Sequence, residues 1–497
     1  MEMNNKNEYF SSSCFMVKFG SRKINFSNLE SLSAKLFIIL LFTFSCCNCN
    51  ASDVFVPEPL EVFEGDDAAY WKRVEHLKDN HNGFVQENFH PEGKQNNPLI
   101  KKWFGGNSTP HSGEFILHCA NNFDNPKCFS IPVLFIPGSC DNANRGWVHP
   151  YNHHWEGKLS DLPHEKRGFA VWMSELGYSV FSVTFAQPQG CNIMQSEIIA
   201  DAITRIRILL NRQNDPNFKV NLIAHSKGNV AARLYLSDSR KLFPAKTFLT
   251  NFRKDVDTYV AIAAPFRGLD TPFRYYGYNL SLAGELVKSK SSLNAPLAAE
   301  KVTLYGKMRD FTELSINPDV GKNYFPGQCQ MLFDLTEDGV LPLGIDSATG
   351  DANFSRDALY YGGSTAWLKS RGIKVAIELG EKLIYRLEEQ GIDRSVKLGI
   401  IAGKSPHITF FDGKVVPMLW EYMTPKGDGL VPLVSSTYSK NILRRGSNLI
   451  GLEILDLNHV NVARDKSAFN IIDNWFMKYS HISENLFIEA RQELEQQ

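Results

Sequence analysis

The sequence predicts an α/β fold with a mostly parallel central sheet, helices on both faces and a large lid or cap insertion. Three observations carry that expectation. Short apolar runs alternate with helical stretches along most of the chain, which is the pattern of β-α-β units. One of the runs, Val220–Ala224, breaks into a tight turn around Ser226 and resumes with helical character. The length of 497 residues exceeds what one hydrophobic core usually holds, so additions to the core are expected.

Taken in chain order, Ile131-Pro132-Val133-Leu134-Phe135-Ile136 reads as a strand running into Pro137-Gly138-Ser139. A helical stretch from Arg167 to Leu176 precedes the strand Tyr178–Val183. Val220–Ala224 is followed by a helix from near Lys227 to about Ser237, then by the strand Val256–Ala264, which makes a β-turn-α-β unit of a parallel sheet. Val396–Ala402 and Leu449–Leu455 read as the last two strands.

The turn at Ser226 has a steric logic. A strand ending at Ala224 and a helix starting near Lys227 force the serine into a strained conformation, so the residues two before and two after it must be small. Ala224 and Gly228 are those residues. An isolated turn serine is usually a solvated helix cap. Here the whole strand-turn-helix-strand context favours an exposed nucleophile.

A serine hydroxyl is a weak nucleophile at neutral pH. It needs a histidine base, and that histidine needs an acid to fix its tautomer and balance its charge. Where a serine sits on such an elbow, the acid follows a late strand and the histidine follows the last one. Gly427-Asp428-Gly429-Leu430-Val431-Pro432 follows Val396–Ala402, and Asp456-Leu457-Asn458-His459-Val460-Asn461 follows Leu449–Leu455. His459 is therefore the expected base and Asp428 the preferred acid. Asp338, in the similar string Thr336–Pro342, competes; Asp428 is preferred because a strand candidate precedes it and a single strand separates it from His459, and Asp338 is more readily a turn residue.

These strings, with Ala264-Pro265-Phe266-Arg267-Gly268, resemble the secreted bacterial triacylglycerol lipases of the α/β-hydrolase superfamily. The resemblance covers roughly residues 130 to 270 and 396 to 476. It implies an α/β-hydrolase fold, a Ser226-Asp428-His459 triad, and an oxyanion hole formed by the backbone N–H groups of Ser139 and Lys227. Pro137-Gly138 stands where the family usually has His-Gly, which leaves a backbone donor in place. The Lys227 side chain is expected to point to solvent, since lysine is seldom buried without a partner. In calcium-binding members the residue two after the histidine is an aspartate. Here it is Asn461, and no metal or other cofactor is expected.

His149, His153 and His154 cluster just after the oxyanion loop. Zinc usually takes three or four converging ligands, and no cysteine or carboxylate stands at helpful spacing, so a polar, aromatic loop over the mouth of the site is the better reading. A net charge of −1, with 43% hydrophobic and 22% charged residues, gives no footprint for nucleic acid or for an acidic membrane. The expected partner is a lipid or ester substrate, with transient contact to a lipid interface.

Residues 1–51 read as a leader and signal peptide: Lys18, Arg22, Lys23 and Lys35 lead into the apolar run Leu36–Phe44, and Ala51 suits the position before a cut. Secretion, or export to the periplasm, is therefore expected; the run is short for a membrane span, so an anchor is the lesser reading. Of the nine cysteines, Cys119, Cys128, Cys140, Cys191 and Cys329 lie beyond the leader, with Cys119–Cys128 and Cys140–Cys191 as possible pairs. Asn107, Asn279 and Asn353 begin glycosylation sequons. Residues 52–125 are expected to form an N-terminal extension packed on the core, and 126–269 and 396–497 the two parts of the hydrolase core. Residues 270–395 are expected to form a lid or cap, containing a lid-helix candidate from Leu280 to Ala299 and a helix from Lys374 to Gln390.

The function expected from this reading is that of a secreted serine ester hydrolase, lipase-like, working through an acyl-enzyme. An acyltransferase or a soluble-ester esterase would carry the same triad. A binding protein on an inactive hydrolase scaffold is the alternative of another class; the presence of all three residues in register argues against it.

Overall fold

The computed structural model describes residues 58–89, 94–124, 131–151, 159–274, 279, 303–304, 307–316, 325–337, 339, 341–343, 354–366, 368–406 and 426–479, together with 18–19 and 22–23. Residues 1–54 and 55–497 are separate units. Of the first, Lys18–Phe19 pairs antiparallel with Arg22–Lys23. The apolar run of the leader lies outside the described residues. Among those described, no helix is long and apolar enough to cross a membrane.

The second unit is built on a nine-stranded sheet. Its strands are β1 (Pro59–Glu64), β2 (Arg73–Lys78), β3 (Glu114–Cys119), β4 (Val133–Ile136), β5 (Val180–Phe185), β6 (Val220–His225), β7 (Val256–Ile262), β8 (Lys397–Gly403) and β9 (Asn448–Leu455). In space they run β9-β8-β7-β6-β4-β5-β3-β2-β1. The pairings from β5 through β9 are all parallel, while β3 is antiparallel to both of its neighbours and β1 is antiparallel to β2. A parallel run with β4 and β5 exchanged and one reversed strand next to them is the sheet of the α/β-hydrolase fold, here extended by one further edge strand.

Why these runs form central strands follows from where their side chains go. Leu134, Ile136, Leu222 and Ala224 join one apolar cluster, with residues of the helices α4 (Asn192–Leu209) and α5 (Gly228–Leu236). Val133, Phe135, Ile223 and Val260 join another, with residues of α1 (Pro98–Trp103), α2 (Ala143–Trp147), α3 (Phe169–Glu175) and α8 (Lys466–Tyr479). Alternate residues thus bury on opposite faces, so both phases of the strand must be apolar. Each such side chain contributes about 1.5–3 kcal/mol on leaving water.

The segment 52–125 departs from expectation. Instead of packing on the core as an extension, it supplies β1, β2 and β3 of the sheet itself. Its strand character was hidden by charge, because β2 reads Arg-Val-Glu-His-Leu-Lys. Glu75 is fully buried there, held by Arg205 Nε of α4 at 2.7 Å and by Arg73 Nε at 2.8 Å. A carboxylate is tolerated inside when its charge is matched by hydrogen-bonded guanidinium groups.

The insertion 270–395 is in large part fused to the core. Four short strands form a small sheet of their own in the order Thr303–Leu304, Lys307–Arg309, Leu368–Ser370 and Gly363–Ser364. Leu332, Phe333, Leu335, Leu359 and Tyr360 belong to the same apolar cluster as β4 and β6. The Tyr360 hydroxyl donates to Asp270 and Asp334 at 2.7 and 2.9 Å. The single helix expected from Lys374 to Gln390 is two, α6 (Gly372–Leu379) and α7 (Leu383–Gln390). The break has a cause: a Cβ at Gly380 would lie 2.3 Å from the Cys329 carbonyl, and Glu381 and Lys382 take φ of 58° and 52°. The lid-helix candidate lies outside the described residues, as do Cys128 and Asn353. Asn279 is buried, donating to the Pro272 carbonyl and accepting from the Phe311 N–H, so it offers no glycosylation site. Among the described residues no disulfide joins Cys119, Cys140, Cys191 or Cys329 to one another, which removes the Cys140–Cys191 pair. Cys140 Sγ and Cys191 Sγ accept instead from the amides of Gln189 and Gln330.

Candidate active site

The sharp turn between β6 and α5 sets Ser226 in the left-handed region, with φ of 50°. Its N–H donates to the Ile262 carbonyl at 3.0 Å, which ties the turn to the end of β7. Gly228 is required by close packing, since a Cβ there would lie 2.5 Å from the Pro137 carbonyl oxygen. Gly138 packs tightly on the other side: a Cβ there would come within 3.1 Å of both Ser226 Cβ and His225 Nδ1. The two glycines let the loop after β4 lie directly against the serine.

The ends of β8 and β9 bring the remaining partners. His459 Nε2 lies 2.7 Å from Ser226 Oγ, and His459 Nδ1 lies 2.8 Å from Asp428 Oδ2. Asp428 is fully buried, and its other oxygen accepts from the N–H groups of Leu430 and Val431 at 3.0 and 2.8 Å. An ionised carboxylate accepts only, so Asp428 accepts a hydrogen bond from the Nδ1–H of His459, which leaves Nε2 to accept from the serine hydroxyl. The backbone joins the two loops as well, with His459 N–H donating to the Asp428 carbonyl at 2.9 Å. Asn458 shapes the histidine turn, its Oδ1 accepting from the N–H groups of Val460 and Asn461. Asp338, the competing acid, lies outside the described residues.

Lys227 directly follows Ser226, and Ser139 follows Gly138, which packs against the serine. Among the described residues, neither backbone N–H is engaged with another protein group. The Lys227 N–H is among the orphan donors at the start of α5, where the helix dipole also favours negative charge. The Lys227 side chain corrects the expectation of solvent exposure. It is 1% exposed, donates to Gln195 Oε1 of α4 and lies near Glu87; burial, opposed by Glu87, pushes its pKa down to about 7. These partners are distant in sequence, which is why the chain alone did not reveal them.

Three further residues of the site carried no sequence signal that was read. His225 Nε2 lies 2.8 Å from the His459 carbonyl, and the two rings sit 5.0 Å apart. Burial, reinforced by His459, pushes the His225 pKa down to about 3, so it is neutral and donates from Nε2. Gly403 ends β8 where a Cβ would lie 2.4 Å from the Leu457 carbonyl oxygen and 2.9 Å from Asp428 Cβ. Gln328, on the short helix Pro326–Cys329, donates to Ser139 Oγ at 3.2 Å and to Gln189 Oε1 at 2.8 Å, fastening the loop after β4. The Ala264–Gly268 string is tied to the serines after Asp428: Ser435 Oγ donates to the Gly268 carbonyl and accepts from the Arg267 N–H.

His149 is buried within 3.2 Å of the Tyr70 hydroxyl, while His153 and His154 lie outside the described residues. Asn461 Oδ1 accepts from Arg464 Nε at 2.8 Å. A different group of carboxylates, Asp79, Glu197 and Asp201, has metal-ligand spacing.

No protein-family model and no curated protein sequence matches the chain. Solved structures that resemble it include the mature form of the lipase BlEst2 from Bacillus licheniformis, at 12% identity over 71% of this chain and 93% of that one, with a TM-score of 0.32. Esterase B from Lactobacillus Rhamnosis is 11% identical over 94% of this chain and 98% of that one, with a TM-score of 0.34. Lipase 1 from Pelosinus fermentans is 12% identical over 71% and 99%, also with a TM-score of 0.34.

Proposed function

We propose that this protein is a secreted serine hydrolase that cleaves carboxylic esters of lipids through an acyl-enzyme. The observation that carries the reading is the hydrogen-bonded chain Ser226–His459–Asp428 beside two unengaged N–H groups. In the first step Ser226 Oγ attacks the ester carbonyl carbon while His459 takes the hydroxyl proton. The oxygen that becomes negative is held by the Ser139 and Lys227 N–H groups. His459 then passes its proton to the departing alcohol, and the acyl group stays on Ser226. Water, deprotonated by the same histidine, releases the acid and restores the serine.

Two sequence features extend the reading. The leader, with its apolar run and Ala51, supports export and a mature chain beginning near Ser52. Leu280, Leu282, Leu286 and Val287 supply an oily segment in the cap, and a lid that hides such a face in water would open at a lipid surface.

Ser226→Ala is expected to abolish hydrolysis of a nitrophenyl ester and labelling by a fluorophosphonate together, with the circular dichroism unchanged. Retained hydrolysis would overturn the triad. For the substrate class, rates on tributyrin measured across its solubility limit should rise sharply beyond it; a smooth hyperbola would make the protein an esterase of soluble esters. Intact mass of the exported protein tests the leader, and retention of residues 16–51 would replace a cleaved signal with an anchor.

A further inference from the structure

Away from the triad, three acids meet inside the protein. Asp79 directly follows β2, while Glu197 and Asp201 are four residues apart and so share one face of α4. They are 0%, 0% and 1% exposed, and one carboxylate oxygen of each lies within 4.8 Å of the other two. The surrounding donors engage part of the set only. Asp79 Oδ1 accepts from the His81 N–H at 2.7 Å and lies 2.8 Å from His81 Nδ1, and Glu197 Oε2 accepts from the Thr250 N–H at 2.8 Å. One buried oxygen of each acid receives no hydrogen bond: Asp79 Oδ2, Glu197 Oε1 and Asp201 Oδ2.

Neighbouring cations do not close this gap. Arg253 is the nearest candidate, but its Nε is on Asp255, one terminal nitrogen on Thr204 Oγ1 and the other on the Ala200 carbonyl. Among the described residues the trio's one ion pair is with His81. A single proton shared between two of the acids would engage two of these oxygens and leave the third open. A hard cation, by contrast, takes six to eight oxygen ligands and would engage all three at once. Calcium–oxygen bonds of about 2.3–2.6 Å place ligands on opposite sides of the ion roughly 5 Å apart, so oxygens within 4.8 Å of one another suit it. His81, whose side chain is 41% exposed, would support Asp79 from outside and marks the route to the surface.

We propose that Asp79, Glu197 and Asp201 form a calcium site that fastens the end of β2 to α4, with water completing the coordination. Nothing in the triad depends on it. After stripping with EGTA, the full-length protein titrated with calcium chloride should show one saturable site by calorimetry. Its thermal midpoint should rise by several degrees between EGTA and millimolar calcium, with magnesium less effective. Asp201→Asn and Glu197→Gln should weaken calcium binding by about tenfold or more, while fluorophosphonate labelling of Ser226 is retained. No heat and no thermal shift in the wild-type chain would overturn the proposal, as would undiminished binding by Asp201→Asn. A rise in stability of Asp201→Asn that ignores calcium would assign the cluster to a buried shared proton instead. Should the variants fail to fold, elemental analysis of the wild-type chain equilibrated with micromolar calcium decides: near one calcium per chain supports the site, and less than a tenth refutes it.

Discussion

Replacing Asp428 by asparagine leaves the shape of the site intact and reverses one hydrogen bond. Asp428 Oδ1 already accepts from the Leu430 and Val431 N–H groups, so the asparagine oxygen is fixed on that side. Its NH₂ must then face His459 Nδ1, 2.8 Å away in the native protein. Nδ1 can satisfy that donor only by giving up its own proton, which moves to Nε2. The nitrogen 2.7 Å from Ser226 Oγ would then be a donor and unable to accept the hydroxyl proton. The expected loss in kcat is about 10⁴-fold, which corresponds to roughly 5.5 kcal/mol of transition-state stabilisation. KM should change little, because no substrate contact is removed. The assay is steady-state hydrolysis of nitrophenyl butyrate, with thermal unfolding as the control for folding. A loss of less than about tenfold in a folded variant would refute the assignment, and a larger loss from Asp338→Asn would move the acid to that loop.

His225→Ala removes the donor to the His459 carbonyl and should lower kcat by roughly 10–100-fold through a misplaced base; an unchanged kcat would show that the loop holds itself. Glu75→Ala leaves Arg205 and Arg73 without their shared carboxylate, and should cost about 3–5 kcal/mol in urea unfolding; a loss below 1 kcal/mol would contradict the buried network. Burial holds both His118 and His225 down to about 3, against about 6.5 when unfolded. At these two sites the folded state therefore binds fewer protons between those values, so their contribution to stability falls as pH drops from about 6.5 toward 3, by about 2 kcal/mol each at pH 5. Burial pushes the Glu87 carboxyl up to about 7, which acts in the opposite direction over the same window, so the check is the difference between the wild-type chain and His118→Gln from pH 7.5 to 5: a variant that gains stability relative to wild type as pH drops supports this, and parallel profiles would refute it.

Much of the fold was legible because its central strands are buried on both faces. Val133–Ile136, Val180–Phe185, Val220–His225 and Val256–Ile262 all read as apolar runs of strand length, and the turn at Ser226 declares itself by the small residues it forces at 224 and 228. The order of serine, acid and histidine along the chain follows from the order of the strands that present them. Local pattern therefore determined the sheet core and pointed to Ser226, Asp428 and His459. Only the tertiary structure decided what depends on residues far apart in sequence. It turned the charged segment Arg73–Lys78 into a strand, because Arg205 from α4 matches Glu75. It buried the Lys227 side chain beside Gln195, split the helix at Gly380 against the Cys329 carbonyl, and gathered Asp79 with Glu197 and Asp201. Periodicity reports which side of a strand or helix avoids water. It carries no information about which distant charge or carbonyl will be waiting there, and that is set only when the elements pack.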